Sequence, residues 1–390
     1  MEPRPKKTDR RSRVAPDGTT PQTAKRVPFG PNLYIVQTQP GFAIVAASEI
    51  ESRIQRARTI NHRRVADKAA LNLFWAPTPA RLPTLRCAED VFSLAGYSSG
   101  VVADRNGLLL SRAIARTAPF VEQGLMARVA FARGNRAGRR LSFRVVARTV
   151  GEHEFRRVDF QRAIETGIIE RDDHSWRLGR EDEAEVEFWA TLIGAELFLA
   201  IRLSDQRMRQ REYKVAHRHA SLRPSIAAAM AWLSEPRDND VVLDPMCGAA
   251  TILIERAHLG RYAMLFAGDL DPTAIEDARS NVGPRYKPIE LRRWDAVALP
   301  LETSSIDAVI TNLPWGARVG SHGENRQLYP RLLAEFRRVL RKTGRMVLLT
   351  SESRLMREMI SRGVIRPQKI LNVTILGAPA AIYVCRADQG

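Results

Sequence analysis

Residues 311–316, TNLPWG, place an amide, a proline and an aromatic ring directly after an apolar segment at 306–310. The apolar segment is typical of a buried parallel strand, and Pro314 turns the chain out of the sheet where that strand ends. Asn312 offers an amide oxygen, and the missing N–H of a proline leaves nearby carbonyls free to accept hydrogen bonds from an amine. Trp315 offers a face for stacking, a role that a phenylalanine should also fill. A simple strand end with a turn is the ordinary alternative, but the combination indicates a pocket for a flat ring that carries an amino group.

Acidic residues follow three earlier apolar segments in the same way. These pairs are residues 241–243 with Asp244, residues 264–267 with Asp269, and residues 289–293 with Asp295. Helical patterns lie between them, so the order of elements is β-α-β-α-β. The carboxyl ends of parallel strands meet at one edge of a sheet, where α/β folds bind their ligands. The sequence therefore predicts a doubly wound α/β sheet with these side chains gathered at one edge.

The acidic groups suit a nucleoside cofactor that has no phosphate. Asp269 can accept from both ribose hydroxyls, Asp295 can accept from an adenine amine, and Asp244 can face a positive charge. The chain contains neither GxxxxGK[ST] nor GxGxxG, the signatures of nucleotides held by their phosphates. S-adenosylmethionine, a nucleoside that carries a sulfonium, is the cofactor that these groups favour.

The segments DPMCGAATI, GDLDP, WDA and NLPWG occur in this order and closely resemble motifs of the Rossmann-like class I methyltransferases. Within that class the chain is similar to the THUMP-domain tRNA (guanine-N2)-methyltransferase family. Residues 142–168 resemble the THUMP domain, and residues 203–224 resemble the family's interdomain segment. The resemblance covers roughly residues 85–390. It departs at 248–251, where the family usually has Gly-Ser-Gly-Thr and this chain has Gly-Ala-Ala-Thr; the missing second glycine is expected to lower cofactor affinity without abolishing it.

The resemblance implies an S-adenosylmethionine-dependent RNA methyltransferase that acts on the exocyclic N2 amine of a guanine, at position 6 in the acceptor stem of tRNA. It also supplies site residues. The catalytic set is Asn312, Leu313, Pro314 and Trp315. The cofactor-binding set is Ser221, Leu222, Asp244, Met246, Cys247, Gly248, Ala249, Thr251, Asp269, Leu270, Asp271, Asp295, Ala296 and Asn312.

Composition is consistent with an RNA partner. The formal net charge is +18 over 390 residues, which favours a polyanionic ligand. The three cysteines share no close spacing, so neither a disulfide framework nor a metal site is predicted. No apolar run is long enough for a membrane span, and residues 1–13 lack the apolar core of a signal peptide. We expect a cytoplasmic monomer that binds tRNA, with no metal.

The chain divides into four expected regions. Residues 1–29 form a disordered basic arm, 30–80 an α+β subdomain, 81–205 a THUMP RNA-binding domain, and 206–390 a Rossmann-like methyltransferase domain with a seven-stranded sheet closed by an antiparallel hairpin. Helices are predicted at 42–57, 90–95, 108–115 and 157–167, and strands at 141–150 and within 185–203. Ser221 is predicted to cap the helix that begins near Pro224. This division also predicts that residues 206–390 alone bind the cofactor.

Basic residues recur through the expected RNA-binding half. Those predicted to contact RNA phosphates are Arg139, Arg140, Arg156, Arg157, Arg162 and Lys214. Structured RNA is recognised mainly by shape, so base readout by this half is not expected. The resemblance implies that the THUMP half docks the acceptor end of tRNA.

Three alternatives remain open from the sequence. An adenine-N6 methyltransferase uses a similar Asn-apolar-Pro-aromatic pocket, and an rRNA guanine could replace the tRNA guanine. A non-catalytic RNA-binding protein with a decayed cofactor site is hinted at by Ala250. Cys247 could serve carbon-5 methylation as a nucleophile, but it lies in the cofactor loop and away from the base pocket.

Overall fold

A computed structural model describes residues 27–66, 68–132, 141–216, 218, 221–316 and 322–387. The expected basic arm at 1–29 lies almost wholly outside these residues. Two β-sheets organise the described chain, one in each half. No helix within these residues has the length and apolar character that a membrane crossing requires.

Within the described residues, the N-terminal half contains eight strands and four α-helices. In chain order these are β1 Leu33–Thr38, α1 Ala43–Arg53, β2 Arg58–Val65, β3 Ala69–Trp75, β4 Asp90–Ser98, α2 Asn106–Thr117, α3 Val121–Ala132, β5 Leu141–Val150, α4 Arg157–Arg171, β6 Trp176–Leu178, β7 Val186–Ile193 and β8 Glu196–Arg202. All eight strands form one sheet in the order β2-β3-β1-β4-β8-β7-β5-β6. The regions expected at 30–80 and 81–205 therefore share a sheet, joined where β1 pairs with β4.

The helix predicted at 90–95 is wrong, because this segment is part of β4. Val91, Leu94 and Ala95 have the spacing of a helical face, which misled the prediction. Residues 90–96 are all buried, because Val91 and Ala95 pack into buried clusters on one face of the sheet, and Phe92 and Leu94 pack into another cluster on the opposite face. Burial on two faces removes the alternation by which a half-exposed strand is recognised.

The described part of the C-terminal half contains seven strands and five α-helices. In chain order these are α5 Pro224–Leu233, β9 Val241–Asp244, α6 Thr251–Ala257, β10 Met264–Asp269, α7 Pro272–Val282, β11 Ile289–Arg293, β12 Ile306–Asn312, α8 His322–Val339, β13 Leu340–Thr350, α9 Ser353–Ser361, β14 Pro367–Ile375 and β15 Ala378–Arg386. The sheet order is β11-β10-β9-β12-β13-β15-β14. The strands from β11 to β13 are parallel, and β15 is antiparallel to both neighbours. The predicted seven-stranded sheet with a closing hairpin is confirmed.

The two halves share one hydrophobic core. Phe42, Val45 and Ile50 of the N-terminal half belong to the same buried cluster as Ile226 of α5 and Ile252 of α6. Polar contacts add to this interface: the Thr374 N–H donates to the Pro40 carbonyl at 3.3 Å. The cofactor edge of the sheet is therefore braced by the half that was expected to bind RNA.

Candidate active site

A cavity of about 470 Å³ lies at the carboxyl ends of β9, β10 and β12. The strand order reverses between β9 and β12, and such a switch point opens a crevice in doubly wound sheets. The structure brings together on its wall every residue that the sequence assigns to catalysis or cofactor binding. They are Ser221, Leu222, Asp244, Met246, Cys247, Gly248, Ala249, Thr251, Asp269, Leu270, Asp271, Asp295, Ala296, Asn312, Leu313, Pro314 and Trp315.

The loop between β9 and α6 is held by backbone hydrogen bonds. The Cys247 N–H donates to the Gly268 carbonyl, and the Ala250 N–H donates to the Cys247 carbonyl, both at 2.8 Å. Ala250 replaces the usual family glycine and adopts left-handed backbone angles, φ 59° and ψ 21°. An L-residue pays about 1–2 kcal/mol for this conformation, so the loop is formed but strained at Ala250.

Asp269 occupies the end of β10 and organises two backbone segments. Its Oδ2 accepts from the Gly248 N–H at 2.9 Å, and its Oδ1 accepts from the Asp271 N–H at 3.1 Å. Each carboxylate oxygen has a second lone pair, so Asp269 can still accept from a diol. Asp271 is different, because it caps α7 through the Thr273 N–H at 2.9 Å and pairs with Arg218 at 2.5 Å. These contacts favour Asp269 as the ribose ligand.

Gly268 and Trp294 shape the neighbouring wall of the cavity. Trp294 covers Gly268 so closely that a Cβ at this glycine would collide with the indole ring. The Trp294 indole N–H donates to the Pro245 carbonyl at 3.1 Å. Trp294 is therefore a structural part of the WDA segment, which leaves the exposed Asp295 facing the cavity.

Asp244 is a buried carboxyl group, with 1% of its surface exposed. Burial, with a smaller contribution from the nearby Asp269 carboxylate, raises its pKa to about 7, although the Thr311 side chain and the Met246 N–H oppose the shift. A carboxyl group in such surroundings gains most when a positive charge enters beside it. Asp244 thus provides a place for the cationic end of a ligand.

Cys247 is also buried, with 7% exposure. Burial raises the pKa of its thiol well above the ordinary value, and the Asp244 and Asp269 carboxylates raise it further. Catalytic cysteines need the opposite, a lowered pKa that supplies thiolate at neutral pH. These surroundings argue against a nucleophile role for Cys247, which its place in the cofactor loop already disfavoured.

The loop that follows β12 is fixed at several atoms. The Leu313 N–H donates to the Leu349 carbonyl at 2.9 Å, which continues the pairing with β13. The Pro314 carbonyl accepts from Asn325 Nδ2 at 3.0 Å and from the Tyr329 hydroxyl at 2.6 Å, both on α8. The Trp315 indole N–H donates to Asn312 Oδ1 at 2.9 Å. The amide oxygen assigned to the substrate thus already has one protein partner.

Glu352 supports this loop from beneath. Its Oε1 accepts from Asn325 Nδ2 at 2.9 Å and lies 2.7 Å from His322 Nδ1. Gly316 has a φ of 68°, and a Cβ at this position would collide with the Glu352 carboxylate. The glycine in NLPWG is therefore required both for its backbone angle and for the close approach of Glu352.

Eight further wall residues were not assigned to the site from the sequence, and four of them, in α8 and the β14–β15 hairpin, lie in segments with no predicted site residue. The eight residues are Arg218, Arg223, Pro245, Ile252, Leu328, Leu332, Ile375 and Leu376. Leu376 and Gly377 form the two-residue turn of the β14–β15 hairpin, with φ values of 51° and 80°. No local signal in the sequence indicates that this turn reaches the cavity.

Two other sequence predictions change at the interdomain segment. The N-cap of α5 is Arg223, with no side-chain cap bond, so the prediction of Ser221 as the cap is wrong. Lys214, predicted to contact RNA, is half-buried, and its ammonium donates to the Leu222 carbonyl at 2.9 Å. This contact assigns Lys214 to the segment that forms the cavity wall.

The remaining predicted RNA contacts have two outcomes. Arg139 and Arg140 lie outside the residues that the structure describes. Arg156, Arg157 and Arg162 are exposed at the start of α4, where Arg156 also pairs with Asp159. These three remain proposed phosphate contacts.

The polar groups of the cavity fit S-adenosylmethionine. Asp269 offers acceptors for a ribose, Asp295 offers an acceptor for an adenine amine, and the buried Asp244 suits a cation. Apolar side chains complete the cavity, including Leu270, which is 63% exposed at its mouth. Apolar walls with a few placed polar groups are typical of a site for a small organic ligand.

Comparisons with known proteins agree with this geometry. The UPF0020 family, described as an RMKL-like methyltransferase domain, matches residues 211–379. The tRNA (guanine(6)-N(2))-methyltransferase THUMP3 of Mus musculus is 34% identical over 52% of this chain and 43% of its own length. The U6 snRNA (guanine-N(2))-methyltransferase THUMPD2 of Bos taurus is 39% identical over 34% of this chain and 26% of its own. The chain thus spans about half the length, or less, of these relatives.

A solved structure extends the similarity to the whole fold. The crystal structure of TrmN from Thermus thermophilus superposes with a TM-score of 0.72 at 24% identity, covering 91% of this chain and 99% of that chain. Its coverage includes both sheets. The family match and the strand order show that residues 211–379 form a class I methyltransferase domain, and the chain is similar to the THUMP-named guanine-N2 methyltransferases.

Proposed function

We propose that the protein transfers the methyl group of S-adenosylmethionine to the exocyclic N2 amine of a guanine in tRNA, at position 6 in the acceptor stem. The observation that carries the proposal is the shared cavity: the acceptor edge of Asn312 and Leu313 lies on the same wall as Asp244 and Asp269. The guanine and its position come from the named activity of the THUMP3 relative. The tRNA is favoured over U6 snRNA by the wider match to that relative.

The cavity residues divide the reaction between them. S-adenosylmethionine, when bound, supplies an electrophilic methyl group on its sulfonium. The Asn312 amide oxygen and the Leu313 carbonyl accept hydrogen bonds from the target amine, which draws its hydrogens out of the ring plane and returns electron density to nitrogen. The face of Trp315 stacks on the flipped base. As the nitrogen–methyl bond forms, the methyl–sulfur bond breaks and leaves a neutral thioether, and the methylated amine then loses its surplus proton to water. Positioning of the two reactants supplies most of the rate, and no side chain has to act as a strong base.

Nucleoside analysis tests the reaction. Unmodified tRNA is incubated with the protein and labelled S-adenosylmethionine, digested, and separated by liquid chromatography with mass detection. We expect N2-methylguanosine, and fragment mapping should place it at position 6. N6-methyladenosine as the product would replace the guanine assignment with the adenine alternative, and label in rRNA or U6 snRNA alone would replace the tRNA.

Asn312→Ala is the matching catalytic test. Removing the amide should abolish methylation, because the lost acceptor acts on the amine in the transition state. RNA affinity should stay within about twofold, because phosphate contacts dominate such interfaces. Turnover at the wild-type rate on saturating tRNA would reject Asn312 as the acceptor.

A further inference from the structure

The hydrogen bond between Trp315 and Asn312 has a fixed chemical direction. An indole N–H is only a donor, whereas the end of an asparagine side chain carries an acceptor oxygen on one side and a donor NH₂ on the other. With the indole nitrogen 2.9 Å from the amide, oxygen must occupy the position that faces Trp315. The indole thereby selects one of the two amide orientations.

The indole can fix the orientation of the Asn312 amide because the backbone around Trp315 is held by contacts that do not involve Asn312. The Pro314 carbonyl accepts two hydrogen bonds from α8, and Ser351 Oγ donates to the Trp315 carbonyl at 3.4 Å. On the other side, Asn312 is the last residue of β12 and is paired in register with Leu349 of β13. Two rigid elements therefore present the donor and the acceptor to each other.

We propose that Trp315 is a positioning residue that fixes the Asn312 amide with its oxygen as the acceptor for the substrate amine. The inference rests on the proposed function, in which that oxygen receives a hydrogen from the amine. An amide oxygen has two lone pairs, so the indole uses one and the second stays available. If the amide rotated by half a turn, its NH₂ would meet the substrate NH₂, and two donors would face each other.

This role is distinct from stacking. The face of the ring is shared by tryptophan and phenylalanine, whereas the N–H is not. Phenylalanine at position 315 should retain capture of the base but leave the amide free to occupy both orientations. The chemical step then loses rate while substrate binding does not.

A double-mutant cycle tests the coupling. Trp315→Phe should lower kcat about tenfold, the loss expected for one neutral hydrogen bond, with KM for tRNA within about twofold. Asn312→Asp provides the matched background, because both oxygens of a carboxylate are acceptors and its rotation changes nothing. In that background Trp315→Phe should change kcat by less than about twofold. Equal losses in the two backgrounds, or a Trp315→Phe enzyme with wild-type kcat, would overturn the proposal.

A second substitution guards against a failure of folding. Replacing Trp315 with 3-benzothienylalanine exchanges the N–H for sulfur and keeps the size and face of the ring. It should reproduce the loss seen with phenylalanine, and wild-type kcat in this variant would contradict a role for the N–H.

The hydrogen bond between Trp315 and Asn312 can also be detected directly, without measuring catalysis. In proton–nitrogen NMR spectra of the full chain, the Trp315 indole signal should show slow exchange with water, and Asn312→Ala should abolish this protection. An indole signal that exchanges as fast in the wild type as in the variant would overturn the proposal. If the product were N6-methyladenosine, the guanine assignment would be wrong, but the double-mutant cycle would still test the role of Trp315 toward the adenine amine. If no base amine were methylated, both proposals would be rejected.

Discussion

The carboxyl group of Asp244 links cofactor binding to pH. Its pKa of about 7 in the folded protein lies well above the ordinary aspartate value of about 3.9, because burial disfavours the charge. The protonated form is therefore favoured in the folded state. The contribution of this group to stability is full at low pH and is lost progressively as the pH rises to about 7. A bound cation reverses the preference, since it stabilises the carboxylate.

We expect the affinity for S-adenosylmethionine to rise about tenfold between about pH 6 and about pH 8, the range over which Asp244 ionises. Asp244→Asn should remove this slope and weaken binding at the higher pH. The same variant, without cofactor, should melt at a higher temperature than the wild type near pH 8, because it no longer buries an unpaired charge. Calorimetric titration and thermal unfolding measure the two effects, and an unchanged pH slope in the variant would reject Asp244 as the group facing the cation.

Single residues of the cavity could be predicted because each follows a strand end, and the sheet topology then collects them. Asp244, Asp269 and Asn312 were found in this way. The polar edge of Trp315 could not be, because its partner depends on how the loop after β12 folds back on itself. The sequence alone predicts a stacking face, which a phenylalanine would also supply; the hydrogen bond to Asn312 gives the tryptophan a role that phenylalanine cannot fill.

At the scale of elements, α7 joins the interdomain segment to the cofactor loop. Asn281 on α7 is fully buried. Its Oδ1 accepts from the Ala216 N–H at 2.8 Å, and its Nδ2 donates to the Ala249 carbonyl at 3.0 Å. The interdomain segment supplies Arg218, Ser221 and Leu222 to the cavity, so one asparagine sets the distance between two of its walls.

Asn281→Leu should weaken S-adenosylmethionine binding by about tenfold or more, because buried backbone groups left without partners cost about 1–3 kcal/mol each. Affinity for tRNA should change by less than about twofold. Asn72→Leu is the control, since Asn72 is an equally buried asparagine on β3 in the other half. If both variants lost cofactor affinity in parallel with stability, Asn281 would have only a general structural role.

Helices and strands with one clear hydrophobic periodicity were predicted well, and those whose burial depends on distant parts of the chain were not. The strand at 141–150 and the helix beginning at Arg157 were placed correctly. β4 was mistaken for a helix because tertiary pairing on both sides, rather than local pattern, decides its conformation. The hairpin turn at Leu376 reaches the cavity through the same kind of long-range packing, which no local pattern encodes.

At the scale of the whole molecule, the two halves depend on each other. Residues 224–231 of α5 are all buried, and α1 of the N-terminal half packs against this helix. Arg86 of the N-terminal half forms two hydrogen bonds with the fully buried Glu255 of α6, at 2.5 and 3.0 Å. The Tyr213 hydroxyl donates to the same carboxylate at 2.7 Å. α6 begins at the cofactor loop, so the interface supports the cavity directly.

This interface changes the expectation that residues 206–390 bind the cofactor by themselves. Separated from the N-terminal half, that fragment would expose the apolar residues of α5 that now pack against α1. Its Glu255 carboxylate would also lose Arg86 and keep Arg211, 3.6 Å away, as its cation. We therefore expect the fragment to lack a cooperative thermal transition, to bind a hydrophobic dye, and to bind S-adenosylmethionine poorly. Co-expression with residues 27–205 should restore all three properties, because the shared core can form between two chains. A fragment that melts cooperatively and binds the cofactor as tightly as the full chain would show that the cavity forms without the N-terminal half, and that the half serves RNA docking alone.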